Sequence, residues 1–319
     1  MQTGYIGTYN SAAGRGIYSF KFDEQTGKLS GGESFYAADD AKCVALHGDK
    51  LFITLSHEGK GGTAVLNAAT GQLQDAVLEE HKTPCFIKYE NGFIYTANYH
   101  DGTVMVYRLQ NFALELVKRI DIMPKAGCHQ VITHGNYIIV PCLLLDELRI
   151  FDAHSDFELV KTISFTKGTG PRHGVFNAAH TKFYLVSELT SELFVFDVKN
   201  LSFELQSRTP LLNVQQAAES ATAAIRLSKD EQRLYISTRG ADLLTVISFN
   251  EMNQPCFMQQ TSCGGSHPRD FLLSDDEKYL LCVNRDSDDL ISFALDSDGK
   301  IGAVADTLTV PHGVGIALQ

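Results

Sequence analysis

"PHGVGIALQ", residues 311–319, is an apolar strand that stops where a partner should follow. Its complement lies at the other end of the chain. "GYIGTYNSAAGRGIYSFKFD", residues 4–23, reads as two strands joined by a polar loop, with nothing before them to supply a first. Between these ends the chain repeats one pattern: an apolar run, a polar turn, a second apolar run, a loop and an alternating third strand, then a less regular fourth. "TPCFIKYENGFIYTANYHDGTVMVYRL" from Thr83, "AGCHQVITHGNYIIVPCLLLDELRIFDA" from Ala126 and "SHPRDFLLSDDEKYLLCVNRDSDDLISFAL" from Ser266 are three copies. Cys43, Phe86, His129, His173, Ala223 and Asp270 are equivalent points, spaced 43, 43, 44, 50 and 47 residues apart. That is the length of a propeller blade. Six blades are visible, and the two half-units make a seventh around Gly313. The expected fold is all-β: a seven-bladed propeller, one domain over 1–319, closed by strand pairing between the termini so that no edge stays open. The runs are short, β-branched or aromatic and bounded by turn residues, which excludes a helical reading.

Composition narrows the function. The chain has 319 residues, 44 % of them hydrophobic, and a formal net charge of −11. Such a field favours neither nucleic acid nor an anionic membrane as partner. A small anionic substrate needs a local cluster of Arg or Lys. The opening "MQTGYIGTYN" lacks the cationic and apolar regions of a signal peptide, and no apolar run approaches the ~20 residues that span a bilayer. Seven cysteines form no CxxC pair, and most sit in apolar runs. We expect free thiols, a cytoplasmic location and no zinc framework. No GxSxG, HExxH or GxGxxG is present.

In a propeller, the start of each blade's first strand and the end of its second share one face of the disc. Strand-one starts carry Lys42, His129, Arg172 with His173, Arg269 with Asp270, and His312. Strand-two ends carry Tyr9, Asn98, Cys142, Glu188, Arg239 and Asn284 followed by Arg285. These polar groups are expected to ring one mouth of the central channel. The bland alternative is that an Arg at a blade end pairs with a neighbouring carboxylate, as Arg269 could with Asp270. A lone strand His is usually structural, which is the reading for His47, His81, His134, His154 and His180.

At "YIGTYNSAAGRGIYSF", "GPRHGVF…YLVSEL", "LYISTRGADLLTVISF" and "HPRDFLLSDDEKYLLCVNRDSD" the chain resembles the seven-bladed lactonase family, which includes bacterial 6-phosphogluconolactonase and the fungal carboxymuconate-lactonizing enzyme. The resemblance covers the whole chain. It implies hydrolysis of 6-phosphogluconolactone, a step of the pentose phosphate pathway, with His129, Arg172 and Glu188 as catalytic residues. It also matches Arg239 to a recurrent Arg, and Arg285 stands where Gln is common. The chemistry is coherent on its own terms: lactone hydrolysis needs a base for water, a donor for the oxyanion and a proton for the leaving alkoxide. His129 would be base or acid, Glu188 its support, and Arg172 the oxyanion donor. His173, Asn98, Asn284, Arg239, Arg269 and Arg285 are assigned to substrate binding, the arginines holding an anionic tail. No metal or cofactor is required. Three alternatives stay open: another lactone or lactonisation, a calcium-dependent lactonase using Glu188, Asn98, Asn284 and Asp270, and a propeller that binds without catalysis.

Overall fold

The computed structural model describes residues 1–252 and 254–319. Seven four-stranded antiparallel sheets form the blades of a propeller. In six of them the strands run outward in chain order, for example Pro171–Phe176, Lys182–Ser187, Glu192–Lys199 and Ser202–Pro210. The seventh breaks that order. Its inner strand is Gly313–Leu318, followed outward by Gln2–Thr8, Ile17–Phe22 and Leu29–Tyr36. Gly4 pairs with Leu318, Ile6 with Ile316 and Thr8 with Gly313. The ring therefore closes as the two half-units require.

Burial follows position in the blade. Middle strands are covered on both faces by neighbouring blades and carry apolar runs, such as residues 183–186. Outer strands face water on one side and alternate, as in Ser202–Pro210. The core is a set of inter-blade clusters. One joins Tyr184, Val186, Leu193 and Val195 to Ile225, Leu234 and Ile236 of the next blade.

Two glycines let the closing blade press on its neighbour. A Cβ at Gly7 would lie 2.6 Å from the Lys42 carbonyl oxygen, and one at Gly315 would lie 2.9 Å from the same atom. The Thr8 N–H donates to the Ala41 carbonyl at 3.0 Å. This close approach fixes the backbone of residues 41–42 beside the C-terminal strand.

The inner strands are irregular where the candidate residues sit. Pro171 pairs with Ser187 and His173 with Val186, leaving Arg172 as the extra residue of a bulge. Arg269 occupies the same position between Pro268–Asn284 and Asp270–Val283. A bulge re-aims the side chain of its unpaired residue, and both arginines line the channel. His129 precedes an inner strand of three residues, Ile132–His134, and is held by its N–H to the Pro141 carbonyl at 3.1 Å.

One buried carboxyl ties two blades together. Glu80 is 2 % exposed and accepts bonds through Oε1 from Asn98 Nδ2 (3.0 Å) and Thr103 Oγ1 (2.9 Å). Burial raises its pKa from 4.5 to about 7, against the lowering effect of those two bonds. Its Oε2 is buried without a partner, which a protonated carboxyl tolerates better than a carboxylate. The folded protein thus holds a proton that the unfolded chain loses near 4.5. This stability is complete below that value and is lost as pH rises through about 7, a loss of about 3 kcal/mol. Glu80→Gln keeps the accepting oxygen but cannot ionise. Melting curves should show a midpoint several degrees above wild type at pH 8 and close to it at pH 4.5. An equal offset at both pH values would show that Glu80 does not titrate in this way.

Candidate active site

The channel opens on one face through a mouth of about 200 Å³ lined by Tyr9, Lys42, Cys85, Tyr99, His129, Glu188, Arg239 and Arg269. Behind it lies a cavity of about 150 Å³ that includes Arg172, His173, Gln130, Arg226 and Asp270. Lys42, Cys85, His129 and Arg269 line both spaces. Propeller symmetry thus brings six of the nine assigned residues to one place: His129, His173, Arg172, Glu188, Arg239 and Arg269.

His129 and His173 touch. The Nδ1 of His129 lies 3.1 Å from Nε2 of His173, so one ring donates and the other accepts. His129 is 4 % exposed. Burial, then Arg172, His173 and Arg269, hold its pKa well below the usual imidazole range. Burial, then Arg172, Arg226 and Arg269, do the same to His173. Both rings are neutral near pH 7. Tyr99 packs edge-on to His129, centroids 6.1 Å apart.

Arg172 is 2 % exposed and largely committed. Its Nε donates to Glu188 Oε2 at 2.7 Å and its Nη1 to the Ala223 carbonyl in the next blade. Its Nη2 makes no hydrogen bond among the described residues. Glu188 follows the strand Lys182–Ser187, and its N–H donates to the Gly170 carbonyl at 2.7 Å. Arg239 Nη2 lies 2.7 Å from the same Glu188 oxygen, as a charge contact rather than an aligned hydrogen bond. Its Nε donates to the Ala221 carbonyl at 3.1 Å. Burial pushes the Glu188 carboxyl up, but Arg172, Arg239 and Arg269 together hold it below its ordinary value. Glu188 is therefore an anion that organises two arginines, not a proton donor at neutral pH. Burial and the neighbouring Arg172 bring Arg239 down to about 9.

Three assigned residues lie elsewhere. Asn98 is fully buried, its amide donating to Glu80 Oε1 and to the Lys82 carbonyl (2.6 Å), its oxygen accepting from the N–H groups of His100 and Asp101. Asn284, equally buried, donates to the Cys263 carbonyl (3.1 Å) and Asp289 Oδ1 (2.8 Å). Each ties a loop of its own blade to the segment arriving from the preceding one, and neither lines the mouth or the cavity behind it. Arg285 pairs with Asp286 at 2.6 Å. It approaches the mouth only by covering the Tyr9 ring at 6.0 Å. The oxygen set considered for calcium is dispersed as well, because Asp270 pairs with Arg226 at 2.7 Å and Glu188 with two arginines. Among the described residues, no group of three His, Cys, Asp or Glu side chains is arranged to hold a metal ion.

Arg269 does not pair with Asp270, since Arg226 takes that carboxylate. Its Nη2 instead donates to Tyr9 Oη at 3.3 Å. Lys42 and Tyr9, recognisable as strand ends, received no role from the sequence, and Tyr99 and Arg226 passed unnoticed. Tyr99 could have been found as the immediate neighbour of a strand-two end.

The chain matches the family described as Lactonase, 7-bladed beta-propeller, over residues 3–318. It is 26 % identical to the 6-phosphogluconolactonase of Bacillus subtilis over 98 % of this chain and 96 % of that protein. A solved Lactobacillus plantarum protein superposes with a TM-score of 0.93 at 26 % identity, covering all of both chains. The periplasmic gluconolactonase of Pseudomonas aeruginosa shares the fold, with a TM-score of 0.86 at 22 % identity over 99 % of this chain and 98 % of that one. A match that runs from the first strand of the ring to the last leaves no part of the fold outside it: this chain belongs to the seven-bladed β-propeller lactonases.

Proposed function

We propose that this lactone hydrolase acts on a phosphorylated sugar lactone, converting 6-phosphogluconolactone to 6-phosphogluconate. The observation that carries this reading is electrostatic. A chain of net charge −11 gathers Lys42, Arg172, Arg226, Arg239 and Arg269 around its channel mouth and the cavity behind it against two carboxylates, Glu188 and Asp270. Such a field attracts an anionic substrate. Beside it stands His129, a base that is unprotonated at neutral pH.

The reaction follows from these groups. His129, with its Nδ1 proton donated to His173, presents a bare Nε2 that removes a proton from water as the water attacks the lactone carbonyl. The free Nη2 of Arg172 donates to the developing oxyanion, and the arginine is held still by Glu188 and the Ala223 carbonyl. When the ring C–O bond breaks, the departing alkoxide takes the proton back from His129. The product carboxyl then ionises. Seven free thiols support a reducing compartment such as the cytoplasm.

The test is a coupled assay with freshly generated 6-phosphogluconolactone, corrected for spontaneous opening, run beside unphosphorylated gluconolactone. We expect kcat/KM to favour the phosphorylated substrate by at least ~10²-fold, the size of two lost charge-assisted contacts. Equal values for the two lactones would remove the phosphorylated substrate and leave the lactonase.

A further inference from the structure

Five cations surround the mouth or the cavity behind it, and three have a carboxylate. Arg172 and Arg239 share Glu188, and Arg226 holds Asp270. Lys42 and Arg269 have none among the described residues. Lys42 is only 9 % exposed, yet its Nζ makes neither an ion pair nor a hydrogen bond there. The stem of this side chain is covered while the ammonium at its tip stays open to the mouth. Its one close neighbour of note is the Tyr9 ring, 5.6 Å away, and Arg269 approaches the same ring at 5.7 Å. A ring face attracts each cation, but two like charges around one ring repel each other. An anion entering the mouth would meet both charges and offset that repulsion.

Both cations line the mouth and the cavity behind it, beside His129. They come from the two blades that flank the closing blade, and Tyr9 from the closing blade itself. The bulge at Arg269 and the backbone contact of Gly7 with Lys42 fix both positions without help from a ligand.

We propose that Lys42 and Arg269, ordered on Tyr9, are the subsite for a phosphomonoester dianion, while Arg172 and Arg239 serve Glu188. This rests on the phosphorylated-lactone reading above and specifies where its tail binds. Two unit charges match a phosphoryl group that carries nearly two negative charges at pH 7; a carboxylate tail would match one. Arg239 and Arg285 are thereby removed from tail binding, since each already holds a carboxylate.

The experiment compares the full-length chain with Lys42→Met, Arg269→Gln and Arg239→Gln. Calorimetric titration with inorganic phosphate, and separately with acetate, reads the subsite without turnover. The ratio of kcat/KM for phosphorylated over unphosphorylated lactone reads it in catalysis. Lys42→Met and Arg269→Gln should each weaken phosphate binding at least tenfold and acetate binding less. Each should lower the substrate ratio by about 10–100-fold, and Arg239→Gln should leave that ratio near wild type. Undiminished phosphate binding in both Lys42→Met and Arg269→Gln overturns the subsite while the substrate reading stands. A ratio lost in Arg239→Gln alone overturns it too. A wild-type ratio near one sinks the substrate reading instead, and phosphate titration then decides the subsite by itself. Tighter binding of acetate than of phosphate replaces the phosphoryl tail with a carboxylate.

Discussion

His129→Ala is expected to lower kcat by about 10²–10⁴-fold with the protein still folded, the usual worth of a positioned base or acid. The reason lies in the ring's surroundings. His129 is buried, touches His173 and lines both the mouth and the cavity behind it. Its depressed pKa also sets the sign of the pH dependence. A base works in its neutral form, so activity should hold level from neutral pH down past ~6.5, the ordinary imidazole value, and fall only in more acid solution. A pH–rate profile for kcat/KM checks this directly. An acid limb at or above 6.5 would mean that some other group carries the proton. Arg172→Lys is the companion variant. It keeps the charge but loses the fork that reaches Glu188 and the Ala223 carbonyl at once, so its kcat should also fall severely. Wild-type turnover in either folded variant would dissolve the assignment.

Deleting residues 311–319 should unfold the whole ring rather than fray one end. The deletion strips Gln2–Thr8 of its inner partner and removes the buried side chains of Val314 and Ile316. Burial of those two side chains alone is worth on the order of 4 kcal/mol. The edge it exposes is a template for pairing with other chains. We expect the melting midpoint to drop by more than ~10 °C, with aggregates on gel filtration. A monomeric truncation that melts with wild type would show that the termini do not close the ring.

The blade period and the closure were legible because apolar runs and turns record alternation and length. Pairing in space was not. Arg269 stands beside Asp270 in sequence, yet the carboxylate goes to Arg226, 44 residues earlier in the chain. The Pro-Arg steps at 171–172 and 268–269 mark the channel arginines. The bulge that turns them is a one-residue slip, which an apolar pattern does not register. Asn98 and Asn284 misled for a related reason. A strand-end Asn that closes its own loop reads the same as one that faces a ligand, and only the fold tells them apart. Glu188 was readable because a carboxylate replaces that loop-closing amide, freeing the position for two arginines.

The closing blade also bears on when the protein becomes an enzyme. A chain that lacks only its final strand already contains His129, Arg172, Glu188 and both subsite cations, Lys42 and Arg269. Tyr9 belongs to a sheet whose three outer strands precede every other blade and whose inner strand follows them all. Until that strand docks, the inner strands of the two flanking blades lack the neighbour that packs against both of them beside Lys42 and Arg269. Activity should therefore arrive all at once when that strand docks, and a premature stop anywhere upstream of it should yield an inert product with an open edge, ready for proteolysis.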